Sequence, residues 1–237
     1  MVIADPTAEL MRLVTAIVDP PAPRIDGGPR RQAELIRRRF DLSLPAPFLE
    51  PPGEDEPIRP AAPGDAAAIA AVKWRCFGTN YRGLLPDAFL DRREIVPPVA
   101  FWVGRAMLPP SRRHRLLVWG SPGNVFGYAD TGPAADGAPV ADAGDSQDDV
   151  GEVFELYVDP AAQGRGGGRR LLDAAVDGFN ASGFVRAELS VLAGNTRAQA
   201  FYRTNGWRPT GRVDHLDLGP IQVDEHRYAR PLAPSGS

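Results

Sequence analysis

The stretch QGRGGGRRLLDAAV, residues 163–176, places four glycines within six residues, directly before the pattern of a helix. Glycine in or against a helix costs about 1 kcal/mol relative to alanine, so the chain needs a reason to keep it there. The stretch follows GEVFELYV, residues 151–158, which is apolar on both faces and therefore predicts a central strand. The order is strand, glycine-rich turn, helix.

This order predicts a binding site for a bulky anion. The start of a helix leaves backbone N–H groups without intrahelical partners and carries partial positive charge. Glycines let the preceding backbone adopt positive φ and approach the ligand closely. Successive N–H groups can then surround phosphate oxygens. The turn therefore indicates a phosphate-bearing ligand.

Clustered glycines have three other common explanations, of which the sequence excludes the first and weakens the second. A P-loop requires Gly-Lys-Ser/Thr, and no lysine lies near the turn. A dinucleotide fingerprint starting at Gly164 and Gly166 requires glycine where Arg169 stands, although Glu188 has about the spacing of a ribose-binding acid. The glycines could also serve only the turn and its packing, because glycine-rich motifs give many false positives.

Composition excludes some classes of function. The chain has 237 residues, 43% of them hydrophobic, and a formal net charge of -3. This balance lacks the basic excess of a nucleic-acid-binding protein. Cys76 is the only cysteine, so no intrachain disulfide can form and a reducing compartment fits. The apolar stretch 10–18 is short and contains Arg12, so we predict a cytoplasmic protein without a membrane partner.

The chain divides near residue 56. Residues 1–56 are predicted to be an extension with helices at 5–18 and 30–40 and a proline-rich, acidic linker. Residues 57–237 are predicted to be one domain. Its expected elements are a strand near 58, a helix from about 63, an irregular helical stretch at 77–93, hairpin strands at 114–120 and 124–130, a mobile loop at 131–149, a helix at 168–179, a strand at 185–192, a helix from the Asn195 cap to Asn205, and strands at 208–218 and 221–230.

Three motifs resemble the GNAT superfamily of acetyl-CoA-dependent N-acetyltransferases. The glycine-rich turn fits the family pattern Q/R-x-x-G-x-G/A, and LYVDP, residues 156–160, resembles the end of the family's central strand. VLAGNTRAQAFYRTNGW, residues 191–207, resembles the run that follows in the family. The motif positions are Gln163, Gly166, Gly168, Asn195, Ala198, Phe201, Tyr202, Gly206 and Trp207. The resemblance spans residues 58–232.

The resemblance implies an α+β fold with a mixed, mostly antiparallel sheet, splayed central strands and helices on both faces. Acetyl-CoA is implied in the gap, with its pantetheine arm on the backbone of residues 156–158 and its pyrophosphate on the amides of residues 164–169. No metal is implied. The implied cofactor-binding residues are Leu156, Tyr157, Val158, Gln163, Gly164, Arg165, Gly166, Gly167, Gly168, Arg169, Asn195, Ala198 and Tyr202.

The resemblance also implies direct transfer in a ternary complex. An alkylamine has a pKa near ~10.4, so it must lose a proton before it attacks. Tyr202 lies at the position of the family's general acid for the leaving thiolate, although a tyrosine beside Phe201 could be only a core residue. Glu152 aligns with a family base. Glu155 should face the opposite way if strand side chains alternate. Either carboxylate could act through water, and a water chain could replace both.

The acceptor is an unidentified amine, either a small molecule or a peptide. Trp74 and Tyr81 are candidate acceptor contacts, because they lie where the family's variable helices wall the site. The acidic residues of the predicted loop lack the glycine of an EF-hand, and we expect them to form a solvated loop or to attract a cationic acceptor. A homodimer is a candidate assembly. The alternatives are a non-catalytic acyl-CoA sensor and a nucleotide-binding oxidoreductase.

Overall fold

The computed structural model describes residues 52–53, 55–92, 96–134, 150–218 and 221–233. The two predicted helices of the N-terminal extension lie outside the described residues, as do residues 135–149 of the predicted loop. The remaining chain folds around one sheet with helices on both of its faces.

Seven strands form the sheet in the order β1-β2-β3-β4-β5-β7-β6. Among these seven described strands, β4 and β5 run parallel and every other neighbouring pair is antiparallel. The mixed, mostly antiparallel sheet is therefore confirmed. The strands are β1 Ile58–Pro60, β2 Arg115–Trp119, β3 Gly127–Pro133, β4 Val150–Val158, β5 Arg186–Leu192, β6 Arg208–Asp217 and β7 Gln222–Pro231.

Within the described ranges, five α-helices cover the sheet. They are α1 Ala66–Asn80, α2 Asp87–Leu90, α3 Val99–Met107, α4 Gly167–Ala181 and α5 Thr196–Thr204. Alternating side chains of β2 separate the two faces: Leu116 and Val118 pack with α1 and α3, whereas Leu117 and Trp119 pack with α4. This alternation follows from the period of two residues along a strand.

A second apolar cluster joins α4 and α5 to the other half of the sheet. It contains Leu172 and Phe179 from α4 together with Leu189 from β5 and Tyr228 from β7. Burial of this face by α4 and α5 explains why alternate residues of β5, namely Ala187, Leu189 and Val191, are apolar. The predicted helices and strands in this half are confirmed to within two residues.

Two local predictions differ from the structure. The mobile loop was predicted from residue 131, but β3 continues through Pro133 because these residues pair with β4. Helix α3 was not predicted, because its nine residues follow two prolines and are too few to show a helical period.

A β-bulge in β4 corrects the predicted orientation of Glu155. Asp130 lies opposite Glu155 and Thr131 lies opposite Val153, which leaves Phe154 as the extra residue. An extra residue shifts the alternation of all following side chains by one. Glu152 and Glu155 therefore lie on the same face of the sheet, and the prediction of opposite faces is wrong.

Candidate active site

The central strands separate at the carboxyl end of β4. The two strands pair from Val150 to Val153 on β4, and beyond that point β4 stays paired with β3 while β5 stays paired with β7. The predicted splay is thus confirmed. The bulge at Phe154 lies where the pairing ends, and bulges bend the strand that carries them. A cavity of about 720 Å³ occupies the gap.

The glycine-rich turn forms one wall of this cavity. Gly164 and Gly166 have φ of 80° and 81°, a region that other L-residues rarely adopt. Gly166 is the N-cap of α4, and no side chain of the described residues caps that helix. The N–H groups that a helix start leaves without intrahelical partners therefore remain available to a ligand.

Gly167 has a different role from its neighbours. A Cβ placed on it would lie 2.1 Å from the ring of Trp119, whereas a Cβ on Gly164 or Gly166 would meet nothing within 4 Å. The interpretation of packing therefore holds for Gly167. At positions 164 and 166 the positive φ of the backbone requires glycine, which is the conformation that the predicted anion site needs.

Side chains fix the turn to the end of β4. The Gln163 side-chain amide donates to the Val158 carbonyl at 3.0 Å. The Asp159 carboxylate accepts from the Ala161 amide at 3.0 Å and forms an ion pair with Arg75 of α1. Asp159 is 1% exposed, so its burial depends on these partners. The free amides are therefore held in a fixed position relative to the strand.

Tyr202 of α5 also lines the cavity. Its side chain is 8% exposed and packs between Phe201 and Trp207. Burial raises the pKa of its hydroxyl, with a smaller contribution from Tyr81. Among the described residues, no side chain or backbone group hydrogen-bonds that hydroxyl. Tyr202 is therefore a protonated donor that faces the gap.

Aromatic rings build the opposite wall. The Tyr81 hydroxyl lies 3.1 Å from the Tyr157 hydroxyl, and the Phe77 ring stacks near Tyr81 at 4.9 Å between centroids. Burial raises the pKa of Tyr81 to about 12, with further contributions from the charges of Glu155 and Glu225. Tyr81 thus joins two carboxylates and Tyr202 in one region of the cavity.

Glu155 is fully engaged by buried partners. One carboxylate oxygen forms an ion pair with Lys73 of α1, and the other accepts from the Tyr128 hydroxyl at 2.6 Å. The Lys73 ammonium also lies within 6 Å of the ring centroids of Phe77, Trp102 and Tyr157. Such aromatic faces stabilise a desolvated cation. The arrangement holds the Glu155 carboxylate in a fixed orientation.

Glu225 of β7 is the second carboxylate of the cavity wall. It is half-buried, and burial raises the pKa of its carboxyl above the ordinary value. Within the described part of the chain, no group hydrogen-bonds or forms an ion pair with it. Sequence analysis missed this residue, because a glutamate in the alternating segment QVDEHRY carries no distinguishing signal.

Most of the residues predicted for the site do line the cavity. They are Tyr81, Leu156, Tyr157, Val158, Gln163, Gly164, Gly166, Gly167, Gly168, Arg169, Asn195, Ala198 and Tyr202. Asn195 caps α5 through a bond from the Ala198 amide to its side-chain oxygen at 3.1 Å, which places both residues at the gap.

Three predicted residues are not part of the cavity wall: Arg165, Trp74 and Glu152. Glu152 accepts a hydrogen bond from Arg227 at 2.8 Å on the same sheet face as Glu155. Because this ion pair occupies its carboxylate, we do not place Glu152 at the reacting amine.

The cavity fits coenzyme A in shape and in chemistry. A narrow gap beside a strand edge suits an extended arm, and free amides at a helix start suit its pyrophosphate. Arg169 lies in the first turn of α4 and lines the same cavity, which adds positive charge at the turn. Within the described ranges, no group of three or more His, Cys, Asp or Glu is arranged to hold a metal, and no helix is long and apolar enough to cross a membrane.

Comparison with known families agrees with this geometry. The profile of the acetyltransferase (GNAT) family matches residues 74–207, more than half of the chain. The chain therefore belongs to the GNAT acetyltransferase family. Among solved structures, an N-acetyltransferase of Thermoplasma acidophilum in complex with coenzyme A has a TM-score of 0.54 at 16% identity, covering 74% of this chain and 98% of that one. A Salmonella typhimurium acetyltransferase with acetyl-CoA has a TM-score of 0.55 at 22% identity, and the match covers 77% of this chain and 97% of that one.

Curated relatives share parts of the chain. A mycothiol acetyltransferase of Cellulomonas flavigena is 31% identical over 204 residues, which are 84% of this chain and 53% of that protein. One from Beutenbergia cavernae is 50% identical over 60 residues, 25% of this chain and 20% of that protein. The N-alpha-acetyltransferase RimI of Mycobacterium tuberculosis is 38% identical over 111 residues, which are 46% of this chain and 67% of that protein. The chain spans about half the length of the Cellulomonas relative and about a fifth of the Beutenbergia relative.

Proposed function

We propose that this protein transfers the acetyl group of acetyl-CoA to a primary amine by direct transfer in a ternary complex. The observation that carries the proposal is the meeting of three features in one cavity: the splayed end of β4, the uncapped start of α4 and the hydroxyl of Tyr202. Acetyl-CoA supplies an activated thioester when it is bound. The residues of the chain orient it and handle protons.

In this proposal the backbone of residues 156–158 binds the pantetheine arm, and the amides of the glycine-rich turn bind the pyrophosphate. Tyr202 donates its proton to the leaving sulfur. General acid catalysis of this kind typically contributes about 10²–10⁴-fold. Burial raises the pKa of Tyr202, so the hydroxyl stays protonated at neutral pH. It gives up this proton only to the thiolate that forms as the carbon–sulfur bond breaks.

Direct transfer is favoured over a covalent enzyme intermediate. Cys76 is buried, its thiol contacts the Val158 carbonyl at 3.2 Å, and burial raises its pKa. A thiol in such surroundings stays protonated and is a poor nucleophile. We further propose that residues 57–237 form the catalytic domain and that the protein is cytoplasmic.

The test is amine-dependent release of thiol from acetyl-CoA. The amine panel should include a peptide with a free N-terminus, because the Mycobacterium tuberculosis relative is named an N-alpha-acetyltransferase. We expect at least one amine to accelerate thiol release above the hydrolysis seen without amine. A protein that binds acetyl-CoA but releases no thiol with any amine would instead support the alternative, a non-catalytic acyl-CoA sensor.

A further inference from the structure

The cavity carries charge of opposite sign on its two sides. Of the described residues that line it, four are charged: Glu155, Arg169, Arg197 and Glu225. The two arginines are exposed, and Arg169 lies beside the glycine-rich turn. Glu155 is engaged by Lys73 and Tyr128. Glu225 is thus the carboxylate of this wall that has no described partner.

The surroundings of Glu225 explain why it stays without a partner. Arg227, two residues along β7, is the nearest candidate on the same face of the strand. Its guanidinium is already bound by Glu152 at 2.8 Å and by Asp214 at 2.9 Å. Asp214 lies directly opposite Glu225 on β6 and adds negative charge, as Glu152 does. The charge of Arg227 attracts Glu225, but among the described residues no cation forms a hydrogen bond or an ion pair with its carboxylate.

Apolar side chains line the cavity beside this carboxylate. Leu192 lies opposite Glu225 in the pairing of β5 with β7. Leu192 belongs to a buried cluster with Leu85 and Phe89, against which Phe77, Tyr81 and Leu218 pack. A carboxylate held in such surroundings without a partner costs free energy unless a ligand supplies the opposite charge.

We propose that Glu225 binds the acceptor ammonium and takes its proton, and that the acceptor is a primary amine attached to an apolar or aromatic body. This inference rests on the proposed acetyltransferase function and names the acceptor class of the same site. Glu225, Tyr81 and Tyr202 all line this cavity. The proton acceptor and the proton donor therefore face one cavity.

The proton steps balance as follows. Glu225 takes one proton from the ammonium and later releases it to water. The freed nitrogen bonds to the acetyl carbon while the carbon–sulfur bond breaks and Tyr202 gives its proton to the sulfur. The nitrogen then loses a second proton, which restores Tyr202 through water. An ammonium with three protons becomes an amide with one, the sulfur gains one, and one proton leaves to solvent.

The test measures amine binding separately from turnover. In the presence of saturating coenzyme A, isothermal titration would compare 2-phenylethylamine with its neutral analogue 2-phenylethanol on the full chain. Charge-assisted hydrogen bonds predict that the amine binds about 10- to 100-fold more tightly than the alcohol. The variant Glu225→Gln should lose this preference while its affinity for coenzyme A stays unchanged.

Asp224→Asn is the matched control, because Asp224 is the neighbouring residue of β7, points to the other face and pairs with exposed His215. It should keep the preference for the amine. The inference fails if the unmodified protein binds amine and alcohol equally, or if Glu225→Gln keeps the difference. Either result leaves the proposed function standing whenever another amine drives thiol release. Absence of thiol release with preserved amine preference instead contradicts the function and the proton transfer by Glu225, and leaves Glu225 as an ammonium-binding residue only.

Discussion

The two sides of the cavity are built in different ways. The phosphate side, residues 156–169, is one continuous segment in which strand, turn and helix start follow each other along the chain. The amine side consists of Tyr81, Leu218 and Glu225, which come from the residue that follows α1 and from the β6–β7 hairpin. The first is a local motif with fixed spacing, and the second exists only after the sheet has formed. The sequence accordingly predicted the first far better.

The largest expected effect tests whether the two sides meet at Tyr202. The variant Tyr202→Phe should lower kcat by about 10²–10⁴-fold, because the leaving sulfur loses its proton donor. Its affinity for acetyl-CoA should stay the same, because the phosphate side is intact. Tyr228→Phe is the control: that hydroxyl donates to Gln199 at 3.3 Å in the core, so its loss should cost stability and not kcat. Equal kcat in the Tyr202 variant and the unmodified protein would remove this hydroxyl from the mechanism.

The next effect concerns the ion pair behind the amine side. Lys73→Met leaves Glu155 without its cation, and breaking a buried pair costs about 3–5 kcal/mol when both groups are fully desolvated. The Glu155 side chain is 23% exposed and keeps Tyr128, so we expect a loss of about 2–3 kcal/mol in the free energy of unfolding. Chemical denaturation would measure it. The double variant Lys73→Met/Glu155→Gln should recover part of the loss. If it is less stable than the single variant, the ion pair with Glu155 does not explain the contribution of Lys73 to stability.

A smaller effect tests the phosphate side. Gly166→Ala forces a left-handed conformation that costs other residues about 1–2 kcal/mol, so the turn should relax away from the ligand. We expect affinity for coenzyme A to fall about tenfold, measured by isothermal titration, at nearly unchanged kcat under saturation. Gly178→Ala within the same helix is the control and should bind normally, because it has ordinary φ and its added Cβ meets only Arg115 at 3.9 Å. Normal binding in the Gly166 variant would mean that its amides do not hold the phosphates.

The smallest effect is a pH dependence of stability. Because the pKa of Glu225 is raised in the folded protein, its ionised form destabilises the fold. This cost is absent below the unfolded value of 4.5 and complete above the folded pKa. Glu225→Gln should therefore raise the Tm at pH 7 and leave it unchanged at pH 4. The neighbouring charged and titratable groups Arg227, Asp214, Glu152 and Tyr81 are the same in both proteins. A lower Tm at pH 7 would show that Glu225 has a stabilising partner.

Local motifs of the site were predictable from the sequence, and features that depend on strand pairing were not. Gln163, Gly166 and Asn195 lie in short motifs whose backbone requirements are visible in the sequence, so the turn and the caps were predicted correctly. The predicted orientation of Glu155 was wrong, because the bulge at Phe154 depends on the pairing of β4 with β3. The position of Glu225 depends on the register of β7 against β5, which no local pattern encodes.

The central claim is that the gap between β4 and β5 binds acetyl-CoA, and amide hydrogen exchange measures it most directly. Coenzyme A should slow exchange in two segments, the strand end 156–158 and the turn 164–169, because both lose solvent access to the ligand. Residues 150–153 are already paired with β5, so their exchange should change little. Slower exchange confined to those two segments is the predicted result. Saturating coenzyme A that leaves both segments unchanged would contradict the account.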